Sequence, residues 1–219
     1  MDAAGIQAKV YAGYAKAAQY VGLSFKQYRG GNGADVLGPI GMAPKATLTA
    51  SFTPAASTFN FGKGPTHKDT FFNTLIDGSQ TQVGDYLVGA ADTYFICSQQ
   101  PLLPIVSVRC NRVLTISAPG PSKTYGAQSA YSGTTPANET PVMAGWPASL
   151  LFDARGRAAE VGLPLDLPSP FYVILMPAWP ETDVRTGYVI TDDQDRRYIV
   201  SATELTPLGW RIFAQQAIT

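Results

Sequence analysis

Between residues 105 and 116 the side chains alternate in polarity. Val106, Val108, Cys110, Leu114 and Ile116 fall on one face, and Ser107, Arg109, Asn111 and Thr115 on the other. A period of two marks a strand with one buried face. Arg112 interrupts the apolar face and reads as an edge residue whose head reaches water. The same period returns near the C-terminus in runs 187–191, 197–202 and 210–214. Asp192-Asp-Gln-Asp195 and Thr206-Pro-Leu-Gly209 separate these runs with turn chemistry. Tyr188 and Ile190, Tyr198 and Val200, and Trp210 and Ile212 then share one face. Three adjacent strands with an aromatic face predict a small antiparallel β-barrel or sandwich, so the fold class is mainly β. Runs 83–88 and 93–98 add two short strands. Residues 171–176, an unbroken apolar run between Pro170 and Pro177, read as a strand buried on both faces.

The remainder is punctuated by 21 glycines and 17 prolines, which disfavour long helices. One helix is expected, over residues 2–21. Asp2 supplies an N-cap and Gly22 an end, and Ile6, Val10, Tyr14, Ala17 and Val21 recur at helical spacing. Residues 23–80 show no sustained period and read as an extended arm or long loop, its anchors Phe59, Phe61, Phe71 and Phe72 docking on a neighbouring subunit. The expected organisation is therefore an N-terminal helix (1–22), the arm (23–80) and a β domain (81–219) with a loop excursion at about 118–145.

Charge narrows the classes of function. Sixteen basic residues balance sixteen acidic ones, and charged residues make up only 15% of the chain. Such a surface repels its own copies weakly and lacks the basic face a nucleic-acid binder needs. No run approaches the roughly 20 apolar residues of a membrane span, so no membrane partner is expected. The first residues lack the basic and apolar regions of a signal peptide, which leads to the expectation of folding in a cytoplasm.

Few residues invite catalysis. His67 is the only histidine and sits in a Gly/Pro-bounded loop. No Gly-x-Ser-x-Gly elbow is present, and Gly30-Gly-Asn-Gly33 lacks the lysine of a phosphate loop. Asp192, Asp193 and Asp195 read as a solvated hairpin tip rather than a calcium loop. Asp85, Asp92, Asp166 and Glu204 are the carboxylates a hydrolase would draw on. Cys97 and Cys110 lie symmetrically about Leu102 and Leu103, so a hairpin turning there sets them opposite each other as small buried thiols. Two cysteines and one histidine make a poor metal site, and no cofactor is expected. Trp146 and Trp179, each followed by proline, read as core or inter-subunit anchors. With Tyr125 and Tyr131 they would otherwise serve as stacking platforms in a carbohydrate-binding or glycan-processing tail-associated module.

Two segments carry a resemblance. The first runs Gly84-Asp-Tyr-Leu-Val88, Asp92-Thr-Tyr-Phe-Ile96, Gln100-Pro-Leu-Leu-Pro104 and Val108-Arg-Cys-Asn-Arg112. The second contains Asp195-Arg-Arg-Tyr-Ile-Val200, Glu204-Leu-Thr and Leu208-Gly-Trp-Arg-Ile212. Both resemble virion structural proteins of tailed bacteriophages in the head-to-tail connector class of neck, adaptor and head-closure proteins. The resemblance covers about a third of the chain and implies a short β-barrel and no catalytic residues. It implies a virion location, self-assembly into a ring, portal and tail or nozzle proteins as partners, and DNA only as passing cargo. Tyr14, Phe59, Phe61, Phe71, Phe72, Arg112, Trp146 and Trp179 are the residues expected at those contacts.

Overall fold

The computed structural model describes residues 2–30, 41–55, 70–120, 138–153, 170–178 and 183–217. The helix α1 spans Ala3–Val21. The Asp2 carboxylate accepts the Gly5 N–H at 2.8 Å and satisfies one of the free donors of the first turn. Gly22 ends the helix, though in an extended conformation (φ −96°) rather than the left-handed one. Its glycine is required by crowding: a Cβ there would meet the Ala18 carbonyl oxygen at 2.5 Å and the Ala50 carbonyl oxygen at 2.8 Å.

Twelve strands follow among the described residues. Six belong to a first barrel: β1 (Leu23–Tyr28), β2 (Ala46–Pro54), β3 (Phe71–Leu75), β4 (Tyr86–Val88), β5 (Thr93–Ser98) and β6 (Ile105–Cys110). Six belong to a second: β7 (Arg112–Pro119), β8 (Glu139–Phe152), β9 (Phe171–Met176), β10 (Val189–Asp192), β11 (Arg197–Thr206) and β12 (Gly209–Gln216). Each sheet closes on itself, so neither barrel leaves an unpaired edge among these strands. The mainly-β barrel expected from the sequence is present, twice.

The two barrels are repeats of one another. Around the first the order is β1-β2-β3-β6-β5-β4, and around the second β7-β8-β9-β12-β11-β10, with every pairing antiparallel. Register agrees in detail. Gly84 and Gly187, both at positive φ (91° and 85°), each donate 2.8 Å bonds to Ile96 and Val200. Those residues return 2.9 Å bonds to Asp85 and Tyr188. Both second hairpins bulge at the same place, after Ile96 and after Val200. The N–H of Ala55 bonds the Phe71 carbonyl as that of Asp153 bonds the Phe171 carbonyl, each at 2.9 Å.

This arrangement corrects the reading of residues 23–80. Their described part is not an arm but β1, β2 and β3 of the first barrel. The period is hidden because the interior there is partly polar. Gln27 and Thr74 are buried with Phe25, Leu48, Phe72 and Ile105, whereas the matching positions of the second barrel hold Ile116 and Ile174. Thr74 is reconciled with burial by a 2.7 Å hydrogen bond to Ser107.

The run 105–116 is likewise two strands in two barrels, broken at Asn111. That residue is the whole connection. Its N–H bonds the Ala148 carbonyl at 3.0 Å, and its side-chain amide donates to the Leu150 carbonyl (2.9 Å) and accepts the Leu150 N–H (2.8 Å). The amide thus takes the place of a strand's own backbone against β8.

The larger of two hydrophobic clusters fills the second barrel and reaches across to the first. The outward side chains Tyr86, Phe95, Val108 and Cys110 of the first barrel join Leu114, Trp146, Ile174, Met176 and Ile212 of the second. The Tyr86 hydroxyl, wholly buried, donates to the Pro147 carbonyl at 2.8 Å. Burying side chains of this size contributes about 1.5–3 kcal/mol each. The interface therefore belongs to the core rather than to a loose inter-domain contact. α1 packs on β2 and β3 of the first barrel, as β6 packs on β8, the counterpart of β2.

Candidate interaction surface

A groove of about 1100 Å³ runs along the junction of the barrels. Phe71, Phe95 and Val108 form its first-barrel wall, and Leu151, Val173 and Leu175 its second. The composition of β9 explains this wall. Its inward residues Ile174 and Met176 fill the barrel, while Val173 and Leu175 point the other way into the groove. A strand apolar on both sides was legible in the sequence; what covers its second face here is a groove rather than a layer of structure. Phe71, Phe152 and Leu208 stand partly exposed at the groove.

The residues expected at partner contacts are scattered. Phe71 reaches the groove. Phe72, its neighbour on β3, points inward and meets Tyr94 edge-on at 5.5 Å, so it is core and not a contact. Trp146 is core as well, 1% exposed, because its position on β8 opposite Leu114 faces the barrel interior. Tyr14 is half-buried on α1. Arg112 lies in a closed barrel rather than at a sheet edge, and its side chain, still 29% exposed, sets its guanidinium 3.9 Å from Asp192 and 3.8 Å from Asp193. Phe59, Phe61 and Trp179 lie outside the described residues, as do His67, Tyr125, Tyr131 and Asp166.

The expected hairpin tip is more built than solvated. Asp192 is 5% exposed and accepts N–H bonds from Gln194 and Arg196, each 2.9 Å, and the Tyr198 hydroxyl at 2.9 Å. Asp193 and Asp195 are exposed. Burial, helped by Asp192, pushes the Tyr198 phenol up to about 12. Asp85 is another wholly buried carboxylate. Arg29 holds it through two nitrogens at 2.6 Å, with Gln27 at 2.6 Å and the Gln82 N–H at 2.9 Å. Its bond to Asp85 in turn raises the Arg29 guanidinium above its usual value. Asp92 is bonded to Arg109 at 2.6 Å, and Glu204 lies 3.7 Å from Arg211. Asp85, Asp92 and Glu204 are thus each engaged by a different arginine. No group of three or more His, Cys, Asp or Glu among the described residues is placed to hold a metal ion.

The cysteines do not face each other. Cys110 pairs with Thr93, and Cys97 sits in the bulge, its thiol 3.3 Å from the Val106 carbonyl. The bulge and the turn at residues 100–103 displace the register from the symmetry that sequence spacing suggests. Both thiols are free and buried, and burial pushes Cys97 up to about 12 and Cys110 higher still.

Comparison with models of protein families, with curated proteins and with solved structures finds no match for this chain. Among the described residues no helix is long and apolar enough to cross a membrane.

Proposed function

We propose that this chain is a structural subunit of a tailed-phage particle. It acts at the portal–tail junction by assembling into a symmetric ring and docking on neighbouring virion proteins, with DNA passing as cargo. The observation that carries this reading is the open apolar groove between two fused barrels, whose walls present Phe71, Val173 and Leu175. Contiguous apolar surface of this kind marks a contact with another macromolecule. The low charge of the chain favours the same use, since subunits of a ring bury much of their surface against each other. The carbohydrate alternative is left with fewer supports, because Trp146 is enclosed in the core.

Light scattering and negative-stain imaging, with and without portal protein, test the proposal. Rings, or portal-dependent rings, are the expected result. A chain that stays monomeric and binds neither portal nor tail proteins refutes it.

A further inference from the structure

The internal repeat supplies a template for how two copies of this chain would join. Within one chain, the outer face of β4, β5 and β6 docks against β8 and its barrel. The counterpart of that docking face is the outer face of β10, β11 and β12. Pair registers match Phe95 with Ile199, Val106 with Phe213 and Val108 with Gln215. Phe95 is 1% exposed, yet Ile199 is 46% exposed and Phe213 half-buried, because among the described residues no barrel packs on that face. The counterpart of the receiving strand β8 is β2, and there the position of a preceding barrel is taken by α1.

α1 is a light cover. Among its 19 residues only Ala18 is fully buried. It is held by the Tyr11 ring against Gly78, by a 3.2 Å bond from Gln99 to the Tyr11 hydroxyl, and by the Leu102 N–H bonding Gln7 at 2.5 Å. Tyr11 touches the core of the first barrel much as Tyr86 touches that of the second.

We infer that the outer face of β11 and β12, centred on Ile199 and Phe213, docks on β2 and β3 of a second copy once α1 gives way there. α1 thereby acts as the gate on head-to-tail assembly. The contact is heterologous, so it propagates from copy to copy and closes as a ring when the rotation permits. The inference rests on the ring-forming reading above and specifies its surface. Gln215, in place of Val108, fits a face that stays wetted until it docks.

One variant tests the gate in both positions. A Cβ placed on Gly78 falls 2.9 Å from Cγ of Tyr11. Tyr11→Cys with Gly78→Cys therefore brings the two Cβ atoms near the roughly 3.5–4.5 Å that a disulfide spans. Oxidised, the variant has α1 tied down; reduced, it has lost the Tyr11 ring that held α1. The expected light-scattering result is the mass of one chain when oxidised and multiples of it when reduced. Tyr11→Ala alone should also assemble, and Ile199→Asp added to the reduced form should return it to one chain. Equal masses in both redox states, or assemblies indifferent to Ile199→Asp, overturn the inference. If wild-type rings nevertheless form with portal protein, the phage reading survives that failure. If the wild type never assembles but the reduced variant does so through Ile199, the inference stands and the phage reading falls.

Discussion

Thr74 and Ser107 share a 2.7 Å hydrogen bond inside the first barrel, 2% and 0% exposed respectively. The second barrel, with the same topology and register, holds Ile174 and Ala214 at these positions and is fully apolar there. The pair is therefore tolerated by the fold rather than demanded by it. Removing one hydroxyl leaves the other buried without its partner, at a cost of about 1–3 kcal/mol. Removing both leaves nothing unsatisfied, and the change should be close to neutral. Thr74→Val conserves shape and Ser107→Ala loses only one small group, so cavity terms stay minor. In a chain of this length each kcal/mol moves the melting temperature by about 2–4 °C. The assay is urea denaturation of the wild type, both single variants and the double variant, with midpoints compared at constant slope. The two singles should each lose about 1–3 kcal/mol and the double much less than their sum. Strictly additive losses would falsify the claim that this bond, rather than each hydroxyl separately, secures the polar interior.

Arg29→Met strands the wholly buried Asp85 carboxylate and should cost about 3–5 kcal/mol by equilibrium denaturation, far beyond an ordinary surface substitution. Tyr198 keeps its proton to about 12 in the folded protein, against about 10 when unfolded. The native state thus binds that proton more tightly; its contribution is complete below pH ~10 and is lost as pH rises towards 12. A stability profile that stays flat across this window counts against the buried Tyr198–Asp192 contact. Cys97 and Cys110 should resist a thiol reagent at pH 8 in the folded state and react on unfolding, so rapid native labelling would contradict their burial. Gly209 has φ 111°, and a Cβ there would lie 2.3 Å from the Met176 carbonyl oxygen. Gly209→Ala should therefore lose at least about 1–3 kcal/mol in a denaturation curve.

The hairpins at 93–110 and 197–216 were legible because apolar and polar side chains alternate there and turn residues bound them. The helix was legible from its cap and its spacing. The duplication was not, because the barrels preserve register and turn geometry far better than residue identity. Only a few pairs, such as Tyr94 with Tyr198 and Phe71 with Phe171, are the same residue in both halves. Polar interior residues concealed β1 and β3, and a single side chain acting as backbone concealed the break at Asn111. The groove could be sensed from the doubly apolar β9, but not its location, since its two walls come from strands far apart in the chain. Trp146 reads from the sequence as either a core or an inter-subunit anchor, and strand register, which sets it opposite Leu114, decides for the core.

Asn111 has a consequence for how the molecule bears load. A connection of one residue, bonded three ways to β8, leaves no slack between the barrels. Tension applied at β6 passes directly into the second sheet, with those bonds loaded together rather than unzipped in turn. The two halves would then yield as one body, and a pulling experiment should show a single rupture where a flexible tether would give two.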